Sequence, residues 1–271
     1  MGHNVGVSKV WKATIGAVVA VVVALVAVDF GATIYAEYRL SRTVRSAAQL
    51  DWDPSTTILA LPFIPQALRH RYSEVEIKAH DVAHPHVGRA TLEATMHALD
   101  LTEASWLIRP DAPIPLDKLE SRIIVDSRHL GGFLGIKDLM VEAPIADTND
   151  ATGGTTESGI SDSRGLVFTG TPTAAGFDRR VSVSVDLSMT GPQRSTLTFT
   201  PTAVLTGPGT ADQDVPDEQR EAVLAAFAGE LPDQKLPFGV APTTQGARGS
   251  DVIIEGIVID VTITLTEFQQ S

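Results

Sequence analysis

Three short clusters carry side chains that could do chemistry. His80, His84 and His86 fall within seven residues, a spacing at which imidazoles can bind zinc or copper. They also read as a strand end and a turn, where histidine is simply polar. Asp51-Trp52-Asp53 has the acid-x-acid spacing by which some glycosyltransferases hold a metal and a sugar diphosphate. Here it lies between a helix end and Pro54, which suits turn formation. The third cluster, Arg69-His70-Arg71, closes the apolar run TILALPFIPQAL over 57–68, which two prolines interrupt. Guanidinium groups beside an apolar entrance suit an anionic head group, because they pair with phosphate in a fixed fork. Glu74 and Glu76 sit on the wet side of a strand. No G-x-S-x-G elbow, glycine-rich phosphate loop or H-E-x-x-H pattern occurs. No nucleophile stands at a recognisable spacing from a base, so the residues do not indicate an enzyme, and they assign no cofactor and no metal site.

The elements that must position these clusters follow from periodicity. Ala13–Val28, ATIGAVVAVVVALVAV, is uncharged and about 24 Å long as a helix. That length falls between a signal-peptide core and a full span. Lys9, Lys12 and Trp11 precede it, which places residues 1–12 on the cytoplasmic side and makes 13–29 a signal anchor or signal peptide. Arg39, Arg42 and Arg45 follow closely on the outer side and weaken that charge bias. Phe30 to about Leu50 reads as a helix. Thr56–Ala60 reads as a strand, and Pro62 can open a short helix through Leu68. Strict alternation marks strands around Val75–Ala79, Ala90–Ala98, Val181–Met189, Leu197–Phe199 and Ile257–Leu265, with a shorter one at Arg122–Val125. Arg128–Leu134 reads as a brief helix. Pro216-Asp217-Glu218 opens another, with Val223, Leu224 and Phe227 on its apolar side. Residues 146–164 are polar and glycine-rich and read as a flexible loop.

The fold class is therefore α+β. An N-terminal membrane helix precedes one strand-rich domain over 30–271, made of long, curved antiparallel sheet with a few flanking helices around an apolar groove. Ordinary sheet-on-sheet packing would satisfy the same alternation. The 271 residues hold 21 Lys+Arg against 33 Asp+Glu, a net charge of -12. Without the first 29 residues, which contain Lys9, Lys12 and Asp29, the balance is 19 basic against 32 acidic. Such a body is repelled by phosphate backbones, which excludes nucleic acid as a partner. The absence of cysteine removes disulfides, thiol nucleophiles and cysteine-ligated zinc.

The run Ile58-x-x-Leu61-Pro62-Phe63-Ile64-x-Gln66, followed by Val75-x-Ile77-x-Ala79, resembles the actinobacterial LmeA-type phospholipid-binding proteins. Leu236-Pro237-Phe238-Gly239 and Gly256-Ile257-Val258-Ile259 agree with the same family, over most of the chain from about Asp29 onward. Leu61 departs from the aromatic residue expected before the proline, and His70-Arg71 replaces a frequent glycine. The resemblance implies binding of phospholipids, including phosphatidylinositol-type lipids, at the plasma membrane, with the main domain on its periplasmic side. It also implies a part in mannan elongation of lipomannan and lipoarabinomannan, with a mannosyltransferase as a possible partner. On this reading an apolar wall is built from Leu61, Phe63, Ile64, Leu68, Ile77, Leu92, Met96, Phe133, Leu134, Phe199, Phe238 and Ile259. Arg42, Arg69 and Arg71 meet the head group. Two alternatives stay open: an envelope glycosyltransferase using Asp51, and a scaffold subunit of a mannosyltransferase that binds no lipid.

Overall fold

The computed structural model describes residues 4–102, 110–144 and 159–269. Its first element is a single helix, α1 (Asn4–Ala48), rather than a membrane segment followed by a separate helix. Residues 11–28 of α1 are exposed along their whole circumference, a stretch about 27 Å long. From Asp29 onward the helix has a buried stripe: Asp29, Thr33, Ala36, Leu40, Val44 and Ala48. Their steps of three and four residues keep them on one face. The same helix is thus a bare apolar stem for half its length and a packed element for the other half. Its apolar stretch, with a mean hydropathy of 2.5, is long and apolar enough to cross a membrane.

All strand pairs are antiparallel, and the described strands divide between two sheets. The larger holds β1 (Ser55–Leu59), β2 (Arg71–His84), β3 (Gly88–Asp100), β4 (Ile114–Asp126), β11 (Asp251–Ile263) and β10 (Thr244–Arg248), in that spatial order. The smaller holds β5 (Met140–Glu142), β6 (Leu166–Gly170), β7 (Val181–Thr190), β8 (Thr196–Leu205) and β9 (Gly229–Leu231). Neither closes into a barrel. Flanking them are α2 (Phe63–Arg69), α3 (Ser127–Leu134) and α4 (Asp217–Ala226). The short helices and alternating strands lie where their patterns predict them. Most of the polar loop expected at 146–164 lies outside the described residues. Its last part, Ile160 and Ser161, runs beside β10, with the Ser161 N–H donating to the Ala247 carbonyl at 2.9 Å.

The inner faces of the two sheets, with the packed half of α1, share one buried apolar cluster. Phe168 and Phe199 meet within it at 6.0 Å between ring centroids. The opposite face of the larger sheet carries charge. There Arg122 on β4 is almost fully buried and bonds to three carboxylates: Glu93 at 2.7 Å, Glu120 at 2.5 Å and Glu255 at 2.6 Å. Cross-strand register explains the convergence, because Arg122 stands directly opposite Glu93 on β3 and Glu255 on β11. Burial pushes the Glu93 carboxyl up, but its bonds to Arg122 and Lys78 outweigh that and hold it below the usual carboxylate range.

The antiparallel order sorts the strand ends. Leu59, Arg71, Asp100, Ile114 and Ile263 gather at one end of the larger sheet, with α2 beside them. The β2–β3 turn and the end of β4 lie at the other.

Candidate functional site

The site begins with the apolar stem and the turn that follows β1. Leu61-Pro62 is a cis peptide, and Pro62 caps α2 in extended geometry. The first turn of α2 is Phe63-Ile64-Pro65, so only two of its three residues have an N–H to satisfy. Both are satisfied by one carboxylate from far away in sequence. Asp29 of α1 accepts from the Phe63 N–H at 2.9 Å and from the Ile64 N–H at 2.8 Å. A buried negative charge at a helix N-terminus also meets the positive end of its peptide dipoles. The stem's foot and the turn are therefore clamped together. Three further bonds fasten α1 along β1. The Ile58 N–H donates to Glu37 Oε1 at 2.8 Å, Thr56 Oγ1 to the Glu37 carbonyl at 2.8 Å, and Ser41 Oγ to the Pro54 carbonyl at 2.6 Å.

Inside the turn, Gln66 ties its ends. Its amide nitrogen donates to the Ala60 carbonyl and its oxygen accepts from the Ser73 N–H at 3.0 Å. His70 ends α2 in the left-handed region at φ 53° and turns the chain straight into β2. Between this turn and the sheet end lies an open cleft of about 720 Å³. Leu61, Pro62, Pro65 and Tyr72 give it apolar surface, while Arg69, Arg71, Asp100 and Asp117 supply charge. Arg71 is committed to Asp100, with Nη2 2.9 Å from Oδ2. Asp100 also accepts from Thr102, and these bonds hold its carboxyl below the ordinary range, the Thr102 bonds most of all. Phe63 lies behind the cleft wall, buried, with its ring 6.0 Å from that of Tyr72.

The residues expected to form one lipid site are spread over several places. Leu61, Arg69 and Arg71 come together in the cleft, with Phe63, Ile64 and Leu68 on the adjoining helix. Ile77, Met96 and Phe199 are deep in the packed cluster. Leu92 lines a second cleft of about 350 Å³ toward the other end of the sheet, with Ile123, Phe268 and Lys235. Phe133 and Leu134 are half-buried on α3, and their side chains stand where a Gly229 side chain would be. Phe238 stacks edge-on against Phe268 at 5.5 Å. Ile259 is exposed and pairs in register with Lys118. Arg42 is apart from the other two arginines, about 20 Å along α1 from Asp29. It donates to the Tyr38 hydroxyl at 3.0 Å, and its guanidinium lies over that ring.

The remaining clusters have local partners. His80 bonds to Thr91, while His84 Nδ1 accepts from the Val87 N–H and shapes the β2–β3 turn. Burial, then the neighbouring His86, keeps the His84 ring below its usual pKa. Asp53 pairs with Arg45 at 3.2 Å, beside the exposed Trp52. Among the described residues no group of three or more His, Asp or Glu is placed to hold a metal ion.

Two residue sets escaped the sequence reading. Asp29 looked like the boundary of an apolar segment, because its partners lie 34 and 35 positions away. The Arg122 network had a fainter signal: single charges inside strongly apolar strands, as in SRIIVD and VIIEGIVI. The two C-terminal motifs prove to be one contact. The Gly256 Cα faces the Ala241 carbonyl, and a Cβ there would stand 2.7 Å from Leu236 Cδ1 and 2.8 Å from Val240 Cγ1. Ser121 Oγ locks the same segment through the Pro237 carbonyl at 2.6 Å.

The class is an antiparallel α+β body carried on an apolar helical stem, with a cleft of mixed charge at the stem's foot. The chain belongs to the LmeA-like phospholipid-binding family, whose model matches residues 27–257. No curated protein and no solved structure matches it.

Proposed function

We propose that this chain is a membrane-tethered phospholipid-binding protein of the cell envelope, with its body on the periplasmic side and a non-catalytic role. The observation that carries the reading is the position of the Arg69–Arg71 cleft, clamped by Asp29 to the end of the apolar stem. If residues 13–29 form an uncleaved anchor, the cleft is held at the bilayer surface, where anionic head groups are. Arg69 then contacts the phosphate, Arg71 joins it by exchanging Asp100 for the head group, and Leu61, Ile64 and Leu68 form the apolar lip with Phe63 buried behind it. Ile77, Leu92, Met96, Phe133, Leu134, Phe199 and Phe238 are the deeper wall that an acyl chain reaches when the packed layers part, while Ile259, exposed on the outer face, lies outside that wall. Each CH₂ taken from bilayer to apolar protein instead of water avoids a cost of about 0.8 kcal/mol, so head-group contacts decide what is retained. Arg42 contributes to a different surface on this reading.

The finer functional reading is that phosphatidylinositol-type lipid bound here supports mannan elongation of lipomannan and lipoarabinomannan, alone or beside a mannosyltransferase. The experiment is photo-cross-linking of the full chain with a diazirine-bearing phosphatidylinositol in vesicles. Adducts on residues 60–73, reduced severalfold by Arg69→Glu, support the proposal. Adducts confined to other surfaces, or unaffected by that substitution, overturn it.

A further inference from the structure

Exposed apolar side chains of the body occur at both ends of the larger sheet, Trp52 at 69% near the β2–β3 turn, but those beside α2 adjoin the foot of the stem. Leu61 is 57% exposed and Leu68 77%, while Phe30, one residue beyond the clamp, is 49% exposed. Isolated exposed leucines need no explanation, but Leu61 and Leu68 belong to one turn and helix, held directly against the foot of the apolar stem. Its covering is indicated by continuity. Residues 11–28 are exposed all round and end directly at Asp29, and Asp29 bonds to the first two amides of α2. Whatever surrounds the stem up to Val28 reaches the Leu61 turn and the start of α2. Water is a poor solvent for that stem, and lipid a good one.

We infer that the cleft end is a second membrane contact, in which the Leu61 turn and α2 rest in the interfacial layer of the same bilayer that holds the stem. A body hung from a single helix would otherwise be free to tilt. The Asp29 clamp and the bonds along β1 fix it relative to the stem, so that end is pressed against lipid. Arg69 and His70 sit where phosphate lies, and Leu61 and Leu68 lie at or below that level, as interfacial side chains do. The charge balance of the body argues that the contact is local, since the rest is acidic and is repelled by an anionic leaflet.

This inference rests on the anchor reading above, and one experiment separates the two. The chain has no cysteine, so single-cysteine variants of the full protein take one spin label each. Val22→Cys, Leu68→Cys and Met140→Cys are reconstituted in vesicles of phosphatidylcholine and phosphatidylglycerol. Accessibility to oxygen is then compared with accessibility to a water-soluble nickel chelate. The label at 22 should be deep in the bilayer, that at 68 interfacial with an oxygen-to-nickel ratio severalfold above that at 140, and that at 140 aqueous. If the label at 22 is aqueous, the anchor reading falls and this inference with it. If 22 is deep but 68 matches 140, this inference alone falls. A label at 68 shielded from both reagents means protein covers the helix, which also overturns it.

Discussion

Replacing Asp29 by alanine should loosen α2 without unfolding the body. The carboxylate accepts the only two amide protons of the helix's first turn, at 2.9 and 2.8 Å, in a largely buried setting. Hydrogen bonds to a charged group contribute about 1.5–3 kcal/mol each. The loss of both is therefore worth roughly 3 kcal/mol or more, set against a modest gain from removing a buried charge. Asparagine keeps one acceptor oxygen and turns an NH₂ group toward the second amide, so about half of the effect should remain. At 1.4 kcal/mol per factor of ten, amide exchange in Phe63–Arg69 should accelerate about a hundredfold in Asp29→Ala and about tenfold in Asp29→Asn. Exchange in the Phe168 and Phe199 strands should not change. The assay is hydrogen–deuterium exchange by mass spectrometry on the detergent-solubilised full chain. Exchange in α2 that stays within twofold of the parent in Asp29→Ala would refute the clamp.

Arg122→Ala should cost about 3–5 kcal/mol, because it leaves Glu93, Glu120 and Glu255 buried together without their shared cation. For a body of this size that is a fall in Tm of roughly 10 °C. Acid should weaken the parent at the same place. The folded Glu93 and Glu120 carboxyls titrate below their ordinary value of 4.5, so the stability they add is complete above that pH. It is lost as pH falls through the folded values, and thermal scans between pH 6 and 3 should follow it, with a smaller dependence in Arg122→Ala. Gly256→Ala should destabilise by about 1–3 kcal/mol, since the new methyl overpacks against Leu236 and Val240 and against backbone at Ala241. Denaturant unfolding would reveal this as a lower midpoint with an unchanged slope.

Much of the fold can be read from local pattern. Val181–Met189 alternates so regularly that its strand and its buried face follow at once, and Pro62 and Pro216 mark where α2 and α4 begin. Strand assignment to two sheets cannot be read this way, because alternation records which side is buried and not which strand is the neighbour. The candidate site divides along the same line. Leu61, Arg69 and Arg71 are close in sequence, and the turn brings them to one cleft. Arg42 has a suitable chemical type but stands on a distant turn of α1, where Tyr38 occupies it. Asp29 has no local signature at all, since its role exists only once α1 and α2 are side by side. Gly256 and Leu236–Gly239 look like two separate motifs, and become one only when β11 passes under the Pro237 turn.

The most direct measurement is the mass of the intact protein released from its own membranes under native conditions. The account predicts a population heavier by one phospholipid, with that population depleted in Leu61→Asp and Arg69→Glu, both exposed cleft positions, while both variants keep the parent's amide-exchange pattern in the sheets. Parent protein that carries no lipid, or variants that retain it at the parent's level, would contradict the account.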